Sequence, residues 1–378
     1  MAATVVVAGL SARLLAEAAR QAGWGAIALD LFGDADTRRA SLRWQRIGEP
    51  GRYAIEPALL LAALQRAAQD ARVIGWVAGS GFEAAPELLD AQVARLPLLG
   101  MGRAALRCVR DPAAFFPLLD RLGLPHPEVA FQPPANPEGW LIKSAAGCGG
   151  WHIRPAAEGS CGEHGYWQRL QPGEPMSALF LADGTRARLV ALNWLMVRPL
   201  GALPYVYAGA IGPVRDEALG RSLQQALAAL VPALGLRGLC SLDFIADAGR
   251  AWLLEVNARP SASMALHERA WAGGLLRAHV HAVHGELPAG SPAHAPGVRG
   301  CLTVFAEREC RVGLSLAAEL AQSPHHHDLP APGLRFRRGE PVCSVSAEGA
   351  QSDPVLVQME ARARQVLRRL SPCEEAIA

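Results

Sequence analysis

The sequence predicts a multidomain protein of α/β and α+β class, and three observations carry that prediction. At 378 residues, with 51% hydrophobic side chains, the chain is too long for one ordinary core and apolar enough for well-buried sheets. It opens on the strand, helix, strand pattern of a parallel α/β unit. Beyond a proline-marked boundary after Gly123, strands alternate with turns instead.

Val5-Val6-Val7-Ala8 reads as a buried strand, residues 11–22 as a helix and 26–30 as the next strand. Val73 to Ala78 is another buried strand, ended by Gly79-Ser80-Gly81, and a first domain is expected over residues 1–98. Asp111-Pro112 starts a helix with proline in the first turn, where no helical amide bond is lost. The helix runs through Leu122 and stops at Gly123, before Pro125 and Pro127. A second domain is expected over 99–290, with a helix from Glu217 to Leu234 and strands at 239–246 and 251–257. The Gly/Pro-rich stretch 285–297 reads as a linker, and 299–305, 334–346 and a helix over 354–370 predict a small C-terminal α+β domain at 296–378.

A net charge of +2 supplies no basic field for a phosphate backbone, so nucleic acid is not expected as a partner. The N-terminus lacks a signal-peptide pattern and no segment approaches about 18 uninterrupted apolar residues, so no membrane partner is expected either and a cytoplasmic location is. Eight cysteines occur without a C-x-x-C pair, which predicts reduced thiols rather than zinc or disulfides; Cys148 reads as a small residue in a tight loop. His325-His326-His327, flanked by Pro324 and Pro330, reads as an exposed loop.

Positive charge is carried by 36 arginines and one lysine, Lys143, which stands before the glycine-rich turn Ser144-Ala145-Ala146-Gly147-Cys148-Gly149-Gly150. A compact ammonium reaches a single phosphate oxygen where a broad guanidinium does not fit. One hundred residues on, strands 239–246 and 251–257 flank Asp247-Ala248-Gly249-Arg250 as a hairpin. Alternation puts Leu242, Phe244, Leu254 and Val256 on an apolar face and Asp243, Glu255 and Asn257 on the other. Asp243 faces Glu255 only across an odd-numbered connection, so a three- or five-residue loop is expected, with Gly249 at positive φ. Two carboxylates and a carboxamide are hard oxygen donors, as a Mg-nucleotide site requires; on its own the hairpin also reads as an ordinary solvated face. Backbone N–H groups of the glycine turn can cradle phosphate and Lys143 can neutralise it.

Lys143 with its glycine turn, the segment Tyr166 to Ser177, and Leu239-Cys240-Ser241-Leu242-Asp243-Phe244 followed by Leu254-Glu255-Val256-Asn257-Ala258-Arg259-Pro260 together resemble the ATP-grasp superfamily, in particular its carboxylate–amine ligases. The resemblance implies a Rossmann-like pre-ATP-grasp domain, a two-lobed ATP-grasp domain whose small lobe covers about 125–175, and a C-terminal α+β appendage. It implies ATP between the lobes, with Lys143 and the turn Gly147, Gly149 and Gly150 on the phosphates and the hinge Gln168, Arg169, Leu170 and Gln171 on adenine. Asp243, Glu255 and Asn257 would hold Mg2+, with Mn2+ as a substitute, and Arg259 would contact the transferred phosphoryl group or the acyl phosphate, with Ser261 and Ser263 adjoining. Arg110 occupies the place of the family's second lysine. Glu174 is displaced by one residue from the usual ribose-binding acid.

The implied activity is amide formation from a small-molecule carboxylate and an amine through an acyl phosphate, releasing ADP and phosphate; a homodimer is a separate expectation that these residues do not carry. A fainter resemblance, to a subgroup containing tyramine–glutamate ligases of one-carbon cofactor synthesis, points to an amino acid such as glutamate. His267 and Glu268 are the available candidates for a base. A non-catalytic ATP-binding regulator or an ATP-grasp kinase would share the fold. Gly79-Ser80-Gly81-Phe82-Glu83-Ala84 and Asp30 also imitate a dinucleotide fingerprint of an NAD-dependent oxidoreductase, although on different turns.

Overall fold

A computed structural model describes residues 2–372 apart from 92, 94, 160, 163, 294 and 295, so Cys373 lies outside the described residues. Strands β1 (Thr4–Ala8), β2 (Gly25–Asp30), β3 (Arg43–Arg46) and β4 (Val73–Ala78) form a parallel sheet in the order β3-β2-β1-β4. Helix α1 (Arg13–Gln21) crosses between the first two, as the opening pattern predicts. A short link joins α2 (Arg103–Arg110) to α3 (Pro112–Arg121). Asp111 caps α3 by accepting the Ala113 N–H, which the Asp-Pro signal anticipates.

A small antiparallel sheet follows, centred on β5 (Trp140–Ser144) and β6 (Gly165–Arg169). Beyond it β7 (Glu174–Asp183), β8 (Ala187–Leu200), β9 (Leu203–Val214), β10 (Arg237–Asp247) and β11 (Arg250–Asn257) build most of an eight-stranded sheet. Helix α4 (Glu217–Leu234) covers one face. Asp216 accepts the Leu219 N–H to cap it, and Gly235 at φ 62° ends it. Leu219, Leu223 and Leu227 recur every fourth residue and bury against Phe180, Leu242 and Phe244. Each such leucine contributes roughly 2 kcal/mol by burial, so Leu227→Ala should cost about 2–5 kcal/mol.

The C-terminal segment extends this same sheet. Strands β12 (Val298–Phe305), β13 (His326–His327) and β14 (Pro341–Gly349) complete the order β11-β10-β7-β8-β9-β12-β14-β13, and α5 (Gly274–Val283) and α6 (Ser352–Arg369) pack on it. The extended stretch expected at 334–346 divides into Arg335–Phe336 and β14. The histidine tract is not an exposed loop: His326 and His327 are half-buried and pair with Val345 and Ser344, and His327 Nε2 bonds Ser346 Oγ at 2.8 Å.

The hairpin loop corrects the sequence reading. Its connection is the two-residue turn Ala248-Gly249, with φ 47° and 76°, between paired Asp247 and Arg250. Asp243 nevertheless pairs with Glu255, because a bulge at Leu254 shifts the register between Asp243 and Phe244. The same bulge sends Leu253, not Leu254, into the core. An inserted residue on one strand does what an odd-numbered loop would have done.

Candidate active site

The polar face of the β10–β11 hairpin and the end of the small sheet meet at one cleft. Asp243 and Glu255 stand side by side on neighbouring strands, with Asn257 opposite Ser241 one step along. Arg110, at the end of α2, donates to Glu255 Oε2 at 3.1 Å and to the carbonyls of Ala145 (2.7 and 3.0 Å) and Gly147. It therefore fastens the glycine turn to the carboxylate pair. Lys143 is buried on β5 and donates to Gln168 Oε1 at 3.1 Å, while Gln168 Nε2 is buried without a partner among the described residues.

Burial and the neighbouring Glu255 push the Asp243 carboxyl up. Burial acts in the same direction on Glu255, but Arg110 and Lys143 outweigh it and hold that carboxyl below its usual range. A cation at the site would relieve the repulsion from Glu255 that helps to raise the Asp243 carboxyl. Among the described residues no three His, Cys, Asp or Glu side chains are grouped to hold a metal by themselves. Two carboxylates with phosphate oxygens and waters suit magnesium, so the residues fit it. Asn257 needs a rotation to join them, because its Nδ2 donates to Asp243 Oδ2 at 3.0 Å and its Oδ1 accepts from Arg259 at 3.3 Å.

The glycine turn is docked on the large sheet. Tyr207 N–H donates to the Gly149 carbonyl at 2.9 Å, and a Cβ on Gly150, at φ 78°, would overlap the Tyr205 carbonyl oxygen. The Gly149 and Gly150 N–H groups have no acceptor among the described residues. Gly147 serves another purpose: its missing Cβ makes room for the His152 ring, an imidazole that burial and Lys143 push down to about 4. Of the expected adenine hinge, the Arg169 and Leu170 N–H groups bind the Glu128 and Gly139 carbonyls, and Gln168 serves Lys143. The two N–H groups are committed within the small lobe, which leaves carbonyls, the half-buried Gln171 and the unpartnered Gln168 Nε2 at the hinge. Glu174 is exposed at the start of β7.

Arg259 brings in a residue that the sequence reading passed over. Its Nε donates to Glu83 Oε1, and Nη1 donates to the Pro260 carbonyl at 3.3 Å. Glu83 is buried; Arg259 outweighs its desolvation and keeps it ionised. The signal was an acid two residues past the glycine turn Gly79-Ser80-Gly81, whose Gly81 N–H donates to Glu83 Oε2 at 2.8 Å.

That bond also removes the dinucleotide reading. Gly81 is occupied by the chain's own carboxylate, and Asp30 accepts from the N–H groups of Ala12, Phe32 and Gly33 and from Trp44 Nε1, which leaves nothing for a ribose. The candidate bases are likewise engaged. His267 Nε2 bonds Asn193 Oδ1 at 2.6 Å, and Glu268 accepts the Leu275 N–H at the start of α5. His279, buried and pushed down to about 4, accepts from Leu239 N–H and bonds the Leu99 carbonyl, a structural tie.

No helix among the described residues is long and apolar enough to cross a membrane. No curated protein matches the chain. Solved structures resemble it over nearly their whole length. Biotin carboxylase from Campylobacter jejuni, in complex with β,γ-ATP, is 14% identical, with 97% of this chain and 91% of that one covered at a TM-score of 0.71. N5-carboxyaminoimidazole ribonucleotide synthetase from Thermus thermophilus is 19% identical, with 96% and 98% covered at 0.67. The biotin carboxylase domain dimer of 2-oxoglutarate carboxylase from Hydrogenobacter thermophilus, with MgADP, ADP and bicarbonate, is 13% identical, with 97% and 90% covered at 0.70. At these identities the likeness is one of fold. Residues 110–263, which contain Arg110, Lys143, Asp243, Glu255 and Arg259, match the ATP-grasp domain family, so this segment of the chain is an ATP-grasp domain.

Proposed function

We propose that the protein is an ATP-dependent carboxylate–amine ligase. The observation that carries this reading is the convergence of Asp243, Glu255, Arg110 and Lys143 below a glycine turn with unspent N–H donors. Lys143 and the Gly149 and Gly150 N–H groups bind the terminal phosphates, and Arg110 holds the turn in place. Asp243 and Glu255 hold Mg2+, which when bound neutralises phosphate charge. A carboxylate oxygen of the substrate forms a bond to the γ-phosphorus as the bond to ADP breaks. The amine then attacks the acyl carbon, phosphate departs with the C–O electron pair, and the amine loses a proton. Arg259, kept charged by Glu83, faces the phosphoryl oxygens. Catalysis of this kind rests on position and charge more than on a dedicated base.

Bicarbonate is the smallest carboxylate to consider, because the structural relatives include carboxylases and one was solved with bicarbonate. The dimeric relative likewise supports a homodimer. An amino acid such as glutamate, a role in one-carbon cofactor synthesis and Mn2+ as a substitute metal rest on sequence resemblance alone; a cytoplasmic location and domain limits at 98, 290 and 296 rest on the sequence patterns alone.

The test is phosphate release from Mg-ATP across panels of amino acids, bicarbonate and amines. Coupled release with an amide or carbamate product is expected. Lys143→Ala and Glu255→Ala should each lower turnover by about 10²- to 10³-fold or more with the fold intact. Turnover unchanged in either variant removes the site assignment; ADP formation with a phosphorylated product and no free phosphate assigns a kinase instead, and ATP binding without turnover assigns a regulator.

A further inference from the structure

A cavity of about 470 Å³ opens beside the large sheet, away from the ATP cleft. Strand register fixes its place. Asp243 is opposite Ser177, which is opposite Asn193; a Cβ on Gly212 would meet Asn193 Oδ1, so Gly212 continues the row on the same face. Gly212 is opposite Arg299, and Arg299 is opposite Glu348. Pro213, Arg299 and Glu348 line the cavity from the sheet, and His267 and Arg269 line it from the segment that follows Arg259. At about 4.8 Å per strand the cavity lies roughly 14 to 19 Å from Asp243. Reacting groups do not meet over that distance.

No open passage joins the two places along this row. Ser177, Asn193 and His267 are buried between them, with His267 Nε2 bonded to Asn193 Oδ1 at 2.6 Å and Asn193 Nδ2 donating to Ser177 Oγ at 3.4 Å. Among the described residues the lining carries two guanidinium groups and one carboxylate. That carboxylate, Glu348, is 3.3 Å from Arg299 with its side chain 68% exposed, an ion pair that contributes little and yields readily to a competing anion. The volume suits a small molecule.

We propose that this cavity is a second ligand site, for a small organic anion of carboxylate or phosphate type, and that its occupancy is transmitted to Asp243 through the buried row His267, Asn193 and Ser177. The guanidinium groups of Arg269 and Arg299 recognise the anion. A ligand drawing on Arg299 and pressing on the His267 wall shifts a row that ends opposite the carboxylate pair. The binding half of the inference is independent of the ligase reading; the coupling half rests on it.

Calorimetric titration of the full chain with citrate and with inorganic phosphate, each at saturating Mg-ADP, tests it. One of the two should bind, and which one does identifies the headgroup. The double variant R269A/R299A should weaken that binding at least about tenfold and leave Mg-ADP affinity without the anion unchanged. Saturating anion should change the wild-type Mg-ADP Kd by about fivefold or more, reciprocally. The site is overturned if neither probe binds at about 10 mM, if the double variant binds as the wild type does, or if Mg-ADP abolishes anion binding, which assigns the anion to the nucleotide cleft. An unchanged Mg-ADP Kd overturns the coupling. Failure of Mg-ADP itself to bind removes the ligase reading, and the anion titrations repeated without nucleotide still decide the second site.

Discussion

Two glycine-rich turns at strand ends, Gly79-Ser80-Gly81 and Gly147-Cys148-Gly149-Gly150, look alike in sequence and differ in what their backbone donors do. In the first, the Gly81 N–H is spent on Glu83, so the turn already contains its anion and uses it to hold Arg259. In the second, carbonyls are tied to Arg110 and Tyr207 while the Gly149 and Gly150 N–H groups are unspent among the described residues. A glycine motif alone does not make a phosphate site. Uncommitted backbone donors are what such a site needs.

The sharpest way to break this contrast is Gly150→Ala. A side chain there needs a left-handed backbone, costing about 1–2 kcal/mol, and it overlaps the Tyr205 carbonyl, so the turn must leave β9. Mg-ATP affinity should fall at least about a hundredfold by calorimetry while the melting temperature changes little. An affinity within threefold, roughly, of wild type would mean that the turn does not carry the phosphates.

Glu83→Gln attacks the first turn. Removing the charge strands Arg259, whose side chain is only 16% exposed, and should lower stability by roughly 3 kcal/mol in chemical denaturation. Arg103→Ala, which breaks an exposed pair with Asp90, should cost no more than about 1 kcal/mol. Equal losses would show that the Glu83 contact is an ordinary surface pair.

Acidity sharpens the second site. Burial and Glu255 push Asp243 up to about 7, so between about 4 and 7 the folded protein holds a proton that the unfolded chain has released. On this group's account stability without metal falls as pH rises through that window. Metal binding must displace the same proton, so Mg-nucleotide affinity should rise by up to about tenfold per unit below pH 7 and level off above it. Asp243→Asn should flatten the profile, and an unaltered slope would take Asp243 out of the metal site.

Much of the site was legible because charge and alternation are local properties. Lys143 stands out as the only lysine, and Asp243, Glu255 and Asn257 follow from a period of two within one hairpin. The Leu254 bulge was not legible, since it substitutes for loop length and leaves no compositional mark. Glu83 was missed because its partner lies 176 residues away, and a pairing between two loops has no sequence period. Gln168 was assigned to adenine by its place in the hinge; that its side chain also meets Lys143 follows from the pairing of β6 with β5, which the sequence does not display. Asp30 misled in the other direction: its acid was visible, but not the four donors that satisfy it.

The smallest expected effect completes the contrast between the turns. Gly79 has ordinary backbone geometry, and an added Cβ would lie 3.3 Å from Leu15 Cδ1 and 3.4 Å from the Ala8 carbonyl oxygen, contacts that a shift of a few tenths of an ångström relieves. Gly79→Ala should therefore change stability by no more than about 0.5 kcal/mol and leave Mg-ATP affinity unchanged. The same substitution in the same kind of motif is damaging at 150 and mild at 79, because the added Cβ overlaps the Tyr205 carbonyl oxygen at 150 and only reaches ordinary contact with the Ala8 carbonyl oxygen at 79. A loss of nucleotide affinity in Gly79→Ala comparable to that in Gly150→Ala would place the first turn on the phosphates and undo the distinction between spent and unspent donors.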